Sequence, residues 1–157
     1  MAVVGAKGSA PTDQYKVSAT YQAGFRAEGF LLIFGERARE KAEKCAAVIL
    51  ARLERAGCKP ECFTKEVLGA GEAVKGAVSI DYDPIEVMLR VCVQDPDKAK
   101  VTRFTKELAP LVTSGPQGVS GYATGRPRIR PQFGYWPCLI DTDKVQVETK
   151  ILCPVDA

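Results

Sequence analysis

The stretch IEVMLRVCVQDPDKAKVTRFTKELAPLV, residues 85–112, decides the fold class. Its first ten residues alternate. Val87, Leu89, Val91 and Val93 fall on one side at period two, which predicts a strand over 85–94. The period then changes. Val101, Phe104, Leu108 and Leu111 recur three and four residues apart, the stripe of an amphipathic helix over 96–112. Asp95 is placed to cap that helix and Pro96 suits its first position. Pro110 should bend the last turn, and Gly115–Pro116 should stop it.

The same grammar extends in both directions. Residues 36–56, ERAREKAEKCAAVILARLERA, place Ala38, Ala42, Cys45, Ile49 and Leu53 on one apolar stripe. Glu40 and Lys44 form an i,i+4 pair in the favourable order, and Gly57 stands where a helix ends. ECFTKEVLG (61–69) reads as a strand. At the start, Tyr15, Val17, Ala19 and Tyr21 alternate, Ala23–Gly24 gives a turn signal, and FRAEGFLLIFG (25–35) reads as a second strand, so a hairpin is expected. KVQVETKIL (144–152) alternates as a final strand. After the first strand the order is β-α-β-loop-β-α-β. That predicts an α+β, ferredoxin-like sandwich in one domain, 1–157. Both helices lie on one sheet face, 85–94 is central, 15–22 is an extra edge strand, and a long Gly/Arg/aromatic loop is left over.

Composition narrows the function classes. The chain has 157 residues, 22 basic and 19 acidic, for a net charge of +3. That balance is too even to argue for nucleic acid or an anionic membrane. No run approaches the roughly 20 apolar residues of a membrane span. MAVVGAKGSAPTDQ has no signal-peptide core, so a cytoplasmic location and reduced thiols are expected for the six cysteines. Histidine is absent. A Ser-His-Asp triad, a Cys-His pair or a His-ligated metal cannot be built from this chain.

Several stretches invite a chemical reading. Cys58 and Cys62 could give two thiolates to a metal, but a structural zinc site needs four ligands and no second close pair exists. GAGEAVKG (69–76) fails both the phosphate-loop and the dinucleotide patterns, because Lys75 precedes its glycine and the spacing is wrong. GYATGRPRIRPQFGYWP (121–137) carries more: three arginines at alternate positions, the only tryptophan, and no acid. With Gly115 and Gly118 upstream, Gly121 and Gly125 can turn backbone N–H groups toward an anion. Arg126, Arg128 and Arg130 share a side if the segment is extended, which Pro127 and Pro131 favour. The alternative is pairing with carboxylates of this chain or of a partner. Tyr122, Tyr135 and Trp136 suit either a core or an interface. No catalytic residue, metal or cofactor is assigned.

GAKGSAPTDQYKVSATYQAGFRAEG (5–29), VTSGPQGVSGYATGRPRIRP (112–131) and FGYWPCLI (133–140) resemble the C-terminal region of the acyclic terpene utilisation AtuA-like proteins. The resemblance runs from about Val4 to Ile140 and beyond. It implies an AtuA-like ferredoxin-fold domain that in most members follows a much larger N-terminal domain. The setting it implies is catabolism of branched and terpenoid acids as coenzyme A thioesters. The expected role is therefore a small subunit, or an isolated C-terminal domain, that assembles with a large AtuA-like chain as a hetero- or homo-oligomer. The alternative is an enzyme component contributing an Arg/Gly anion site for a coenzyme A thioester or a carboxylate.

Overall fold

The computed structural model describes residues 4–74, 76, 77, 79–121, 125–148 and 150. Strand β1 is Gln14–Phe34, helix α1 Ala38–Arg55, β2 Cys62–Leu68, β3 Glu86–Asp95, α2 Lys98–Phe104, α3 Ala109–Ser114, β4 Val119–Gly121 and β5 Arg130–Asp141. The chain divides into two units. One holds residues 22–133; the other joins residues 1–21 to 134–157.

In the larger unit the sheet runs β2-β3-β1-β4, and the three pairings along it are antiparallel. Register places Ile33 opposite Val87, Leu31 opposite Leu89, and Ala27 opposite Val93, while Val67 of β2 also faces Leu89. All of these are buried. With Ala38, Ala42, Cys45, Ile49 and Leu53 of α1, and Val101 and Phe104 of α2, they make one core. Only one sheet face contributes to it, and α1 packs on both α2 and β3, so both helices cover that face. Each fully buried Leu, Ile or Phe in such a core is worth roughly 1.5–3 kcal/mol of transfer free energy. On the opposite face Leu32 beside Met88 and Phe30 beside Arg90 stay half-buried, while Cys92 is buried.

The ends of α1 follow local chemistry. Gly57 has φ 67°, and the N–H of Cys58 reaches the carbonyl of Leu53 at 2.9 Å while that of Gly57 reaches Glu54 at 3.0 Å, a Schellman stop. At the start, Arg37 offers no side-chain cap, and its own N–H donates to the Asp83 carboxylate at 3.1 Å.

Five expectations need correction. The hairpin at 15–35 is one continuous strand of 21 residues, so the edge strand at 15–22 is the first part of β1. Gly24 is not a turn. Its φ is 127°, and a Cβ there would stand 2.8 Å from the carbonyl oxygen of Asp95, so glycine lets the end of β3 close on β1. The helix of 96–112 is two helices, because Pro110 cannot continue α2 and instead occupies the first turn of α3. Asp97, not Asp95, caps α2, accepting from the Ala99 N–H at 2.8 Å. The strand of 144–152 is missing from its described part, where a 3-10 turn at Thr142–Lys144 leads into irregular chain; residues 149 and 151–152 lie outside the described residues. The strand pairing fell instead to β4 and to β5, the latter inside the supposed loop.

The smaller unit is a two-stranded ribbon of the first part of β1 and most of β5. Gln14 Nε2 donates to Asp141 Oδ1 at 2.8 Å, the hydroxyls of Ser18 and Tyr135 meet at 3.2 Å, and Tyr21 lies against Gly134. Numbers rise along one strand as they fall along the other, so the two are antiparallel.

Candidate functional site

In the larger unit, the segment 126–130 alternates in exposure. Pro127 and Ile129 are half-buried; Arg126, Arg128 and Arg130 are exposed. Ile129 packs on the core. Pro127 is seated over Gly29 of β1, where a Cβ would lie 2.9 Å from Pro127 Cγ and 3.1 Å from Leu108 Cδ1. With its two apolar residues anchored, the segment turns its three guanidiniums outward. They line a cleft of about 400 Å³ together with Arg26, Glu28 and Phe30 of β1.

Among the described residues, Glu28 is the one carboxylate in that lining. It accepts from Arg90 at 2.9 and 3.3 Å and stands 3.7 Å from Arg26. Arg90 also donates to Glu66 at 2.9 Å. The hydrogen bonds that Arg90 donates to Glu28, then the one it donates to Glu66, raise the Arg90 pKa above its ordinary value. Arg126, Arg128 and Arg130 pair with no carboxylate among the described residues. The repulsion this leaves is small. At the roughly 7 Å between alternate residues of an extended chain, two unit charges in water repel by about 0.6 kcal/mol.

The glycines named from the sequence do not line this cleft. Gly115 ends α3, Gly118 gives its carbonyl to the Phe34 N–H at 3.0 Å, Gly121 closes β4, and Gly125 has φ 67° in open space. Tyr122 lies outside the described residues. Arg26, Glu28 and Phe30 were missed. Their signal was present in the alternation of β1, which sends the even positions away from Ala27 and Leu31, but their meeting with the arginine row is a tertiary event.

Tyr135 and Trp136 sit on the ribbon. A Cβ on Gly134 would point at the Tyr21 ring, 2.6 Å from Cε1, so Gly134 faces the same side as Tyr21. Period two then puts Trp136, Cys138 and Ile140 on the side of Tyr15, Val17, Ala19 and Tyr21. That side carries no charged residue. Its large rings are open to solvent: Trp136 is 63% exposed, Tyr21 53% and Tyr15 45%. Tyr135, bonded to Ser18, belongs to the other side.

Buried acids elsewhere hold the frame together. Glu107 is paired by Arg52 of α1 and by Arg103 of α2, the latter at 2.7 Å. Asp95 accepts from the N–H groups of Asp97 at 2.7 Å and Glu61 at 2.9 Å, and from Lys100 at 3.1 Å. Burial alone would raise its pKa, but these three donors together bring it below the ordinary value. Burial pushes the Cys45 and Cys92 thiols up. Cys45, Cys58, Cys62, Cys92 and Cys138 are free thiols, and Cys153 lies outside the described residues. Among the described residues no group of three His, Cys, Asp or Glu side chains is placed to hold a metal, and no helix is long and apolar enough to cross a membrane.

A family model described as "Acyclic terpene utilisation family protein AtuA" covers residues 1–151. No curated protein and no solved structure matches the chain.

Proposed function

Because the chain belongs to the acyclic terpene utilisation family AtuA, which implies a role in that process, we propose that its own part there is assembly. It docks on a large AtuA-like chain through the apolar side of the ribbon. The observation that carries this reading is the row Tyr15, Val17, Ala19, Tyr21, Trp136, Cys138 and Ile140. A lone two-stranded ribbon is marginally stable in water, and one with an aromatic face gains by being covered. Trp and Tyr are the residues that most often carry binding energy at interfaces. We read the larger unit as ferredoxin-like. The support is the order β-α-β-β-α-β with the sheet order β2-β3-β1-β4 and helices on one face.

The test is co-expression with a large AtuA-like chain, followed by affinity capture and size exclusion with light scattering. Trp136→Glu should weaken the complex at least about tenfold, the scale of one hot-spot residue. Far-UV circular dichroism should report an unchanged fold. A complex indifferent to Trp136→Glu refutes the reading. So does a ribbon-dependent homodimer that ignores the large chain.

A further inference from the structure

We propose that the cleft between Arg26 and the 126–130 segment binds a small molecule carrying two or more phosphate charges. The assembly reading is not needed for this.

Charge is the first argument. Four arginines and one glutamate line the cleft, and that glutamate already accepts from Arg90. Arg26 has Glu28 at 3.7 Å, but Arg126, Arg128 and Arg130 have no carboxylate partner among the described residues, so the lining keeps a net positive charge along that segment. A cleft so lined gathers anions from solution.

Geometry gives the ligand class. Pro127 and Ile129 turn inward, so the guanidiniums of Arg126, Arg128 and Arg130 follow one another along the cleft. Alternate residues of an extended chain lie roughly 7 Å apart, so the row spans on the order of 13 Å. A single carboxylate would engage one end of it. Several tetrahedral oxyanions in one molecule can engage its length, each taking the paired N–H donors of a guanidinium. A volume of about 400 Å³ suits a small molecule, and Phe30 offers an apolar surface beside the charge.

The site is also built before a ligand arrives. Pro127 is clamped over Gly29 beside Leu108, Ile129 packs on the core, and Pro131 stiffens the entry to β5. Little segment entropy remains to be lost on binding.

The test is calorimetric titration with inorganic pyrophosphate, and with citrate as a carboxylate of comparable charge. Pyrophosphate should bind saturably at one site, at least about tenfold tighter than citrate, and more weakly as salt rises. Arg128→Gln combined with Arg130→Gln should weaken it at least about tenfold. Arg128→Lys, which keeps the charge and loses the fork, should weaken it measurably as well. Arg37→Gln, at an exposed arginine on Glu40, should change nothing. The substituted residues are exposed, so the melting temperature should hold and loss of binding cannot be charged to unfolding. Citrate binding as tightly as pyrophosphate, no saturable binding, or a double variant that binds like the parent each overturns the proposal.

Discussion

Gly29→Ala tests the joint between fold and cleft. The residue lies in β1 with its missing side chain toward the helices, and its φ is not positive, so alanine meets no backbone objection. What it meets is side chain. The new Cβ would sit 2.9 Å from Pro127 Cγ and 3.1 Å from Leu108 Cδ1, and closer still to Leu108 Cδ2. Carbon atoms prefer about 3.5–4.0 Å, so each contact must open by several tenths of an ångström or more. Leu108 is 6% exposed and belongs to the core, and the Pro127 ring cannot rotate away. Overpacking of this kind costs about 1–3 kcal/mol. Replacing a strand glycine returns about 0.5–1 kcal/mol through the unfolded chain. The difference is about 0–2.5 kcal/mol, and the close contact with Leu108 Cδ2 places the expected net loss in its upper part, about 1–2 kcal/mol, which in a chain of this size lowers the melting temperature by about 2–8 °C. Urea and thermal unfolding read it directly. Because Pro127 is displaced, pyrophosphate affinity should fall as well, although Gly29 is not in the cleft lining. Leu108→Ala in the same chain should relieve part of the clash, so the double variant should lose less than the sum of the two. A neutral or stabilising Gly29→Ala refutes the clamp.

Acid should destabilise the protein through Asp95. Its pKa is lowered in the folded state, so its contribution is complete above the ordinary carboxylate value of about 3.9 and is lost as pH falls through the lower folded value. Asp95→Asn should flatten the fall of the urea midpoint below about pH 4, and an equally steep fall in the variant would exclude Asp95 as its source. Freshly purified protein, unfolded without reductant, should titrate as six thiols, and four or fewer would mean a disulfide. In the native state Cys138, exposed on the ribbon, should react fast, while Cys45 and Cys92 should react last, being buried with raised pKa values.

The helical stripes and β3 could be read from periodicity because burial on one face leaves a trace in every turn. Ala38, Ala42, Cys45, Ile49 and Leu53 are all buried, as are Val101, Phe104, Leu108 and Leu111. Glycine and proline misled the reading wherever their role was tertiary. Gly24 looked like a turn but makes room for Asp95. Pro110 was given a bend, yet it starts a helix. The arginine row was visible as a row. What completes its cleft was not, because Arg26 stands a hundred residues away in sequence and nothing local links them.

β5 shows why prolines alone cannot exclude a strand, and it bears on how the ribbon docks. Residues 130–141, much of which the sequence reading leaves in a Gly/Arg/aromatic loop, form a strand although they hold Pro131 and Pro137. β5 pairs with β1 and has no second partner among the described strands. Half of its N–H groups therefore point away from β1, and proline is tolerated where no ladder bond is required. The two prolines are six residues apart, so by period two they fall on the same edge. That edge lacks donors at two places and is a poor template for another strand. A partner that joined by extending the sheet along β5 would meet those gaps. A partner that lies across the Trp136 side meets rings and methyl groups instead. On the proposed assembly reading, a partner should therefore cover the ribbon from its face, and Trp136→Glu should break the complex where a change at the free edge of β5 should not.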